Sequence, residues 1–154
     1  MPYLIMKLIH IFAVVLFVGC MSVALYLKSF GEKKKDIGLL LFTFEGIRAS
    51  GKFFIMPAVT LLILFGIGGA AHAGRNLLTT GWILWSEILI IISAIAYMAG
   101  VIPTQKKILE YANKLSTFSW DEYNQLSGKW TIWMLIALIA SLIAIVLMTL
   151  RIPA

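Results

Sequence analysis

Four apolar runs, at about 3–27, 53–73, 82–102 and 130–150, decide what this chain can become. Each holds about 20 residues, enough for a helix rising about 1.5 Å per residue to cross a hydrocarbon layer of about 30 Å. Inside that layer no water pairs with backbone N–H and C=O groups, so a spanning segment has to satisfy its own, and a helix does. Hydrophobic residues make up 61% of the 154 and charged residues 13%, more apolar surface than a water-soluble domain can hide. The expectation is an all-α integral membrane four-helix bundle, a single membrane domain over 1–154. The first run exceeds the usual core of a signal peptide. It has only Lys7 as a basic residue near its start and no small-residue cleavage site, so it reads as a retained helix.

Charge then orients the bundle. The net charge is +6, and its distribution excludes a nucleic-acid partner in favour of a lipid bilayer. Lys28, Lys33, Lys34, Lys35, Arg48 and Lys52 lie between the first two runs, and Lys106, Lys107, Lys114 and Lys129 between the last two. The middle connection has only Arg75 and the tail only Arg151. Basic residues stay on the cytoplasmic side, so this asymmetry predicts both termini outside, in a multi-pass inner-membrane protein. The lysines and arginines set topology and are placed to touch anionic lipid heads. Cys20, the sole cysteine, allows no internal disulfide and reads as a small packing residue.

The connections carry structure of their own. Leu40, Phe44 and Ile47 recur at helical spacing within a cytoplasmic amphipathic segment at about 37–52, which forms an interfacial helix or an extension of the second span. Pro57 falls early in that span, where a proline costs least. Pro103 predicts a kink, with 106–115 protruding as a helix. Ser119-Trp-Asp-Glu122 has the form of a capping box opening the last helix. Trp130 and Trp133 then mark one membrane interface, as Trp82 and Trp85 mark the other.

With that topology, polar residues gather at one depth. Lys7 and His10 fall in the outer part of the first span and share a face, being three residues apart. His72 and Arg75 close the second span, and Ser86 and Glu87 lie about one turn into the third. An ionisable group inside a membrane span costs several kcal/mol and usually has a purpose. Two neutral imidazoles on different helices suit the axial positions of a haem iron. They equally suit copper, zinc or non-haem iron, with Glu87 as a third metal ligand. Gly66, Gly68 and Gly69 leave room for a macrocycle, Lys7 and Arg75 suit its propionates, and Phe12, Phe17, Phe65 and Trp82 suit its faces. Each residue also has a purely structural role open to it: His10 as an interhelical hydrogen bond, His72 in a wet loop, the glycines in close helix packing, Glu87 as the partner of Lys7 or Arg75. A snorkelling Lys7 is one more. No Walker loop, nucleophile elbow or Cys-x-x-Cys pair is present.

Lys7-x-x-His10 with Gly19, Arg48 ahead of Met56-Pro57-Ala58, the Gly-rich end of the second run, Gly81-Trp82, Tyr123, Trp130 and the closing Met148-Thr-Leu-Arg-Ile-Pro153 together resemble a bacterial four-helix membrane family catalogued as domain of unknown function 2269. That family looks related to HemJ-type protoporphyrinogen oxidases and to CopD-like copper-resistance membrane domains. The HemJ resemblance implies a haem b ligated by the first-helix histidine, here His10. It also implies a lysine about four residues after the third-run tryptophan, where this chain has Ser86. The CopD resemblance implies copper handling, but the Met/His-rich path of such proteins is missing. The expected function is therefore a bacterial inner-membrane haem b-binding, cytochrome-like protein. It would perform electron transfer or redox chemistry near the outer face, with quinone or a membrane redox protein as partner. His10 and His72 are the expected ligands, and the Gly-rich second helix is a candidate homodimer face. The alternatives are a copper or other metal-ion handling or transport module using His10, His72 and Glu87, a non-catalytic accessory subunit, and a HemJ-like protoporphyrinogen oxidase.

Overall fold

The computed structural model describes residues 2–153. Four helices are long and apolar enough to cross a membrane: α1 (Pro2–Lys33), α2 (Ile37–His72), α3 (Gly81–Ala112) and α4 (Trp120–Leu150). Successive helices alternate in direction. Both termini and the α2–α3 loop therefore lie at one end of the bundle (the terminal end), and the two lysine-rich connections lie at the other (the basic end). At about 1.5 Å per residue each helix measures well over the 30 Å or so of a hydrocarbon core. The surplus lies at the basic end, where the helices stay bundled beyond the apolar runs.

Local chemistry sets the helix ends. Asp36 caps α2, its carboxylate accepting the Leu39 N–H at 2.9 Å. The other end of α2 closes on Gly74 at φ 67°: Arg75 N–H donates to Ala70 O and Gly74 N–H to Ala71 O, each at 3.0 Å. That pairing is the Schellman arrangement, which glycine adopts without steric cost. Asn76 Oδ1 accepts the Leu78 N–H and turns the chain toward α3. Ser119 stands at the N-cap of α4, as its sequence predicts, but its side chain makes no capping bond. Its N–H donates instead to the Tyr111 hydroxyl at 2.9 Å.

The segment after Asp36 is an extension of the second span rather than a separate interfacial helix. Leu40, Phe44 and Ile47 are buried and face the rest of the bundle. A π turn at Gly51–Ile55 and another at Ala96–Val101 interrupt α2 and α3. Each is followed by a proline at the second residue of the resumed α-helix, Pro57 and Pro103. Proline has no N–H and crowds the carbonyl four residues back, so the backbone widens just before it.

Small and hydroxylated residues bring the helices together. Ser93 Oγ donates to Ala137 O at 2.7 Å and lies 2.8 Å from Ser141 Oγ, while Ser86 Oγ reaches Trp82 O and Ala144 O, tying α3 to α4. Such contacts, and not apolar burial, hold helices together where the solvent is itself hydrocarbon. Gly100 lies flat beneath the Trp133 indole, where a Cβ would overlap the ring at its root. Gly100→Val should therefore cost about 1–3 kcal/mol, read as a lowered unfolding midpoint in detergent. An unchanged midpoint would show that the indole swings clear.

Trp130 corrects an expectation. It is fully buried, edge-on to Phe44 with centroids 5.6 Å apart, and its Nε1 has no partner among the described residues. Trp133, at 40% exposure, is left as the interfacial tryptophan of that pair. α4 extends well before the apolar run, so its first turns have an interior face. Tyr123, Ser127 and Trp130 fill it.

Candidate functional site

α1 and α2 run antiparallel, and His10 sits between them. Its Nδ1 is 3.0 Å from the carbonyl oxygen of Leu62. A carbonyl only accepts, so Nδ1 must carry a proton, and in the neutral ring Nε2 then keeps its lone pair. The Leu62 carbonyl already receives the helix's own N–H from Gly66, and its second lone pair is reachable because residue 66 has no side chain. A Cβ at Gly66 would come 3.1 Å from His10 Cε1 and 3.3 Å from Nδ1. Gly66 is thus the seat of the imidazole. One turn further on, Met6 Sδ lies over Gly68, and Gly69 is buried with open space where a Cβ would stand.

His10 Nε2 has no hydrogen-bond partner among the described residues. The space beside the ring is lined by all four helices, through Val14, Phe17, Leu62, Ile90, Ser141 and Ala144 among others. Its volume is about 20 Å³, room for about one water. His10 is therefore a half-buried imidazole held through Nδ1 by a backbone carbonyl, beside a space that all four helices line. Ligating histidines are commonly oriented in this way by their other ring nitrogen.

The other expected residues are placed less centrally. His72 is exposed in the last turn of α2, six residues past Gly66 and so about 9 Å further along the axis. The helix ends there at its Schellman cap, which leaves the ring level with the start of α1 and away from His10. Glu87 is half-buried on α3, beside Ser86, and makes no ion pair among the described residues. Among those residues no three His, Cys, Asp or Glu side chains gather closely enough to hold a metal ion. The His10–His72–Glu87 metal set is not assembled. Lys7 is exposed and without an ion pair among the described residues. Arg75 is half-buried, its guanidinium 5.2 Å from the Trp82 ring centroid, a cation–π contact that pins the α2–α3 loop to α3. Phe17 is buried in the core and Phe12 faces outward.

At the basic end lies a polar cluster that the sequence reading missed. Lys28, only 8% exposed, pairs with Glu32 at 3.1 Å and donates to Thr131 Oγ1 at 2.7 Å. Glu32 in turn accepts from the Tyr123 hydroxyl at 2.7 Å and from Ser127 Oγ. The signal was present as two four-residue spacings, Lys28/Glu32 on α1 and Ser127/Thr131 on α4. Nothing local said that the two helices meet there.

This architecture defines a four-span α-helical integral membrane protein with a carbonyl-fixed histidine in its interior. The chain belongs to the family described as "Predicted integral membrane protein (DUF2269)", whose model matches residues 4–152. No curated protein and no solved structure matches it.

Proposed function

We propose that this protein binds haem b through His10 and serves electron transfer or related redox chemistry near the terminal end of the bundle, in a bacterial inner membrane with both termini outside. The observation that carries the reading is the His10 imidazole, with Nδ1 held by Leu62 O over Gly66 and Nε2 free. Haem b, when bound, supplies a one-electron iron couple.

The residues present suit a group held by one imidazole, and His72 is not positioned as a second. His10 would hold the group, and the Leu62 carbonyl would keep the ring oriented and its Nε2 basic. Lys7 and Arg75 are cations at that end that suit carboxylate groups. The space of about 20 Å³ beside His10 requires the terminal halves of α2 and α3 to part for anything larger than water. Few contacts hold these halves together, since α2 packs there on α1 and α3 on α4.

The test is the visible spectrum of detergent-purified protein from haem-replete cells, oxidised and dithionite-reduced, followed by pyridine haemochrome. A sharp reduced α-band with about one haem per chain is expected. A flat spectrum, persisting after haem is added, removes the proposal. The small space and the exposed His72 favour a second reading, in which His10 is only an interhelical clamp. Such bonds between membrane helices contribute about 0.6 kcal/mol, so under that reading His10→Ala changes stability slightly and nothing else.

A further inference from the structure

A second, larger cavity of about 290 Å³ opens at the basic end between α2 and α3, where the two π turns face each other. Arg48, Lys52 and Lys106 line it together with Gly51, Tyr97 and Gln105, and no carboxylate does. Neither Arg48 nor Lys52 makes an ion pair among the described residues, and Lys52 lies 5.5 Å from the Phe53 ring centroid. Lys106 has only an exposed contact with Glu110 at 3.7 Å, and Glu45, the other nearby acid, is exposed and unpaired among those residues. Three exposed cations therefore line one space, and two of them, Arg48 and Lys52, have no ion pair among the described residues.

Tyr97 adds a hydroxyl donor to the same space. The residue is 2% exposed, yet among the described residues its hydroxyl makes no hydrogen bond. It is aimed at Gly51, where a Cβ would come within 2.5 Å of it, and so into the cavity. The hydroxyl is open to the cavity, so it can donate to an oxyanion held there. The Gln105 amide nitrogen donates one of its two N–H groups to Phe44 O at 3.0 Å.

Depth decides what the anion belongs to. Lys52 stands about 20 residues before the other end of α2, about 30 Å away, at the far boundary of a hydrocarbon core. The cavity thus lies at headgroup level, and its remaining wall includes the exposed apolar side chains of Met56 and Ile102. Basic pockets between membrane helices at this level suit anionic headgroups. We propose that the cavity binds the phosphodiester of an anionic phospholipid, with Arg48, Lys52 and Lys106 around the phosphate, Tyr97 donating its hydroxyl, and the glycerol side against Met56 and Ile102. The site is at the opposite end from His10 and stands whether or not haem is bound.

Delipidated protein in detergent, titrated with phosphatidylglycerol, phosphatidylcholine or inorganic phosphate and read by native mass spectrometry, tests this. One phosphatidylglycerol per chain should bind at least about tenfold more tightly than phosphatidylcholine. Arg48→Gln with Lys52→Gln should abolish that preference, whereas Lys33→Gln with Lys34→Gln, elsewhere at the same end, should keep it. Tyr97→Phe, which preserves the packing, should weaken binding about fivefold. Equal phosphatidylglycerol binding by the wild type and the Arg48/Lys52 variant would overturn the site. Displacement of the lipid by millimolar inorganic phosphate would overturn the lipid as its source.

Discussion

Replacing His10 by Ala is expected to lower bound haem per chain at least about tenfold, while His72→Ala leaves it in place. The asymmetry follows from geometry. His10 is fixed between α1 and α2 by the Leu62 carbonyl with Nε2 free, whereas His72 is exposed where α2 ends. The fold should survive the change, since a hydrogen bond of this kind is worth about 0.6 kcal/mol and the long packed contact between α1 and α2 remains. Circular dichroism and an unshifted gel-filtration volume check that point. Gly66→Leu should reproduce the haem loss without touching either histidine, because its side chain would occupy the place of the imidazole. Equal haem loss in the His10 and His72 variants would mean that the two rings act together, contrary to their placement.

Glu32→Ala is expected to produce the largest loss of stability, about 3 kcal/mol. Lys28 is nearly buried and has Glu32 as its one carboxylate partner among the described residues, and the Tyr123 and Ser127 hydroxyls lose the same acceptor. Removing one member of a buried pair costs about 3–5 kcal/mol because a charge is left behind. The Glu32 side chain is 25% exposed, so water relieves part of that cost. Replacing both partners, Lys28→Met with Glu32→Leu, should recover much of the loss, since no orphaned charge remains. Unfolding in mixed micelles measures all three proteins. A Glu32→Ala midpoint indistinguishable from wild type would mean that the cluster is too wet to matter.

What the sequence discloses of this molecule depends on how far apart the interacting residues are. The four spans are legible because a membrane imposes the same requirement on every turn of each helix, and length with apolarity reports it. The start of α4 at Ser119 is legible for a similar reason, being set by a few neighbouring residues. Trp130 misleads because a tryptophan at the start of an apolar run looks like an interfacial anchor. Its burial depends on Phe44, many residues away, and on helices that stay bundled past the bilayer boundary. His10 stands out as a polar side chain in an apolar run, yet its meaning lies in a contact with Leu62 and Gly66 that no local pattern encodes. The common depth inferred for His10 and His72 came from counting residues to each span's edge. Such counting is good to about a turn or two, and the difference of about 9 Å falls within that range. Tyr97 and Glu32 were illegible because only the assembled bundle shows one without a partner and the other with several.

The most direct measurement is the ¹⁵N spectrum of histidine-labelled protein carrying His72→Ala, in which His10 supplies the sole imidazole signals. A protonated Nδ1, hydrogen-bonded to Leu62 O, with Nε2 free of a proton and shifted when haem is added, is the predicted result. A protonated Nε2 beside an unprotonated Nδ1, unchanged by haem, would contradict it.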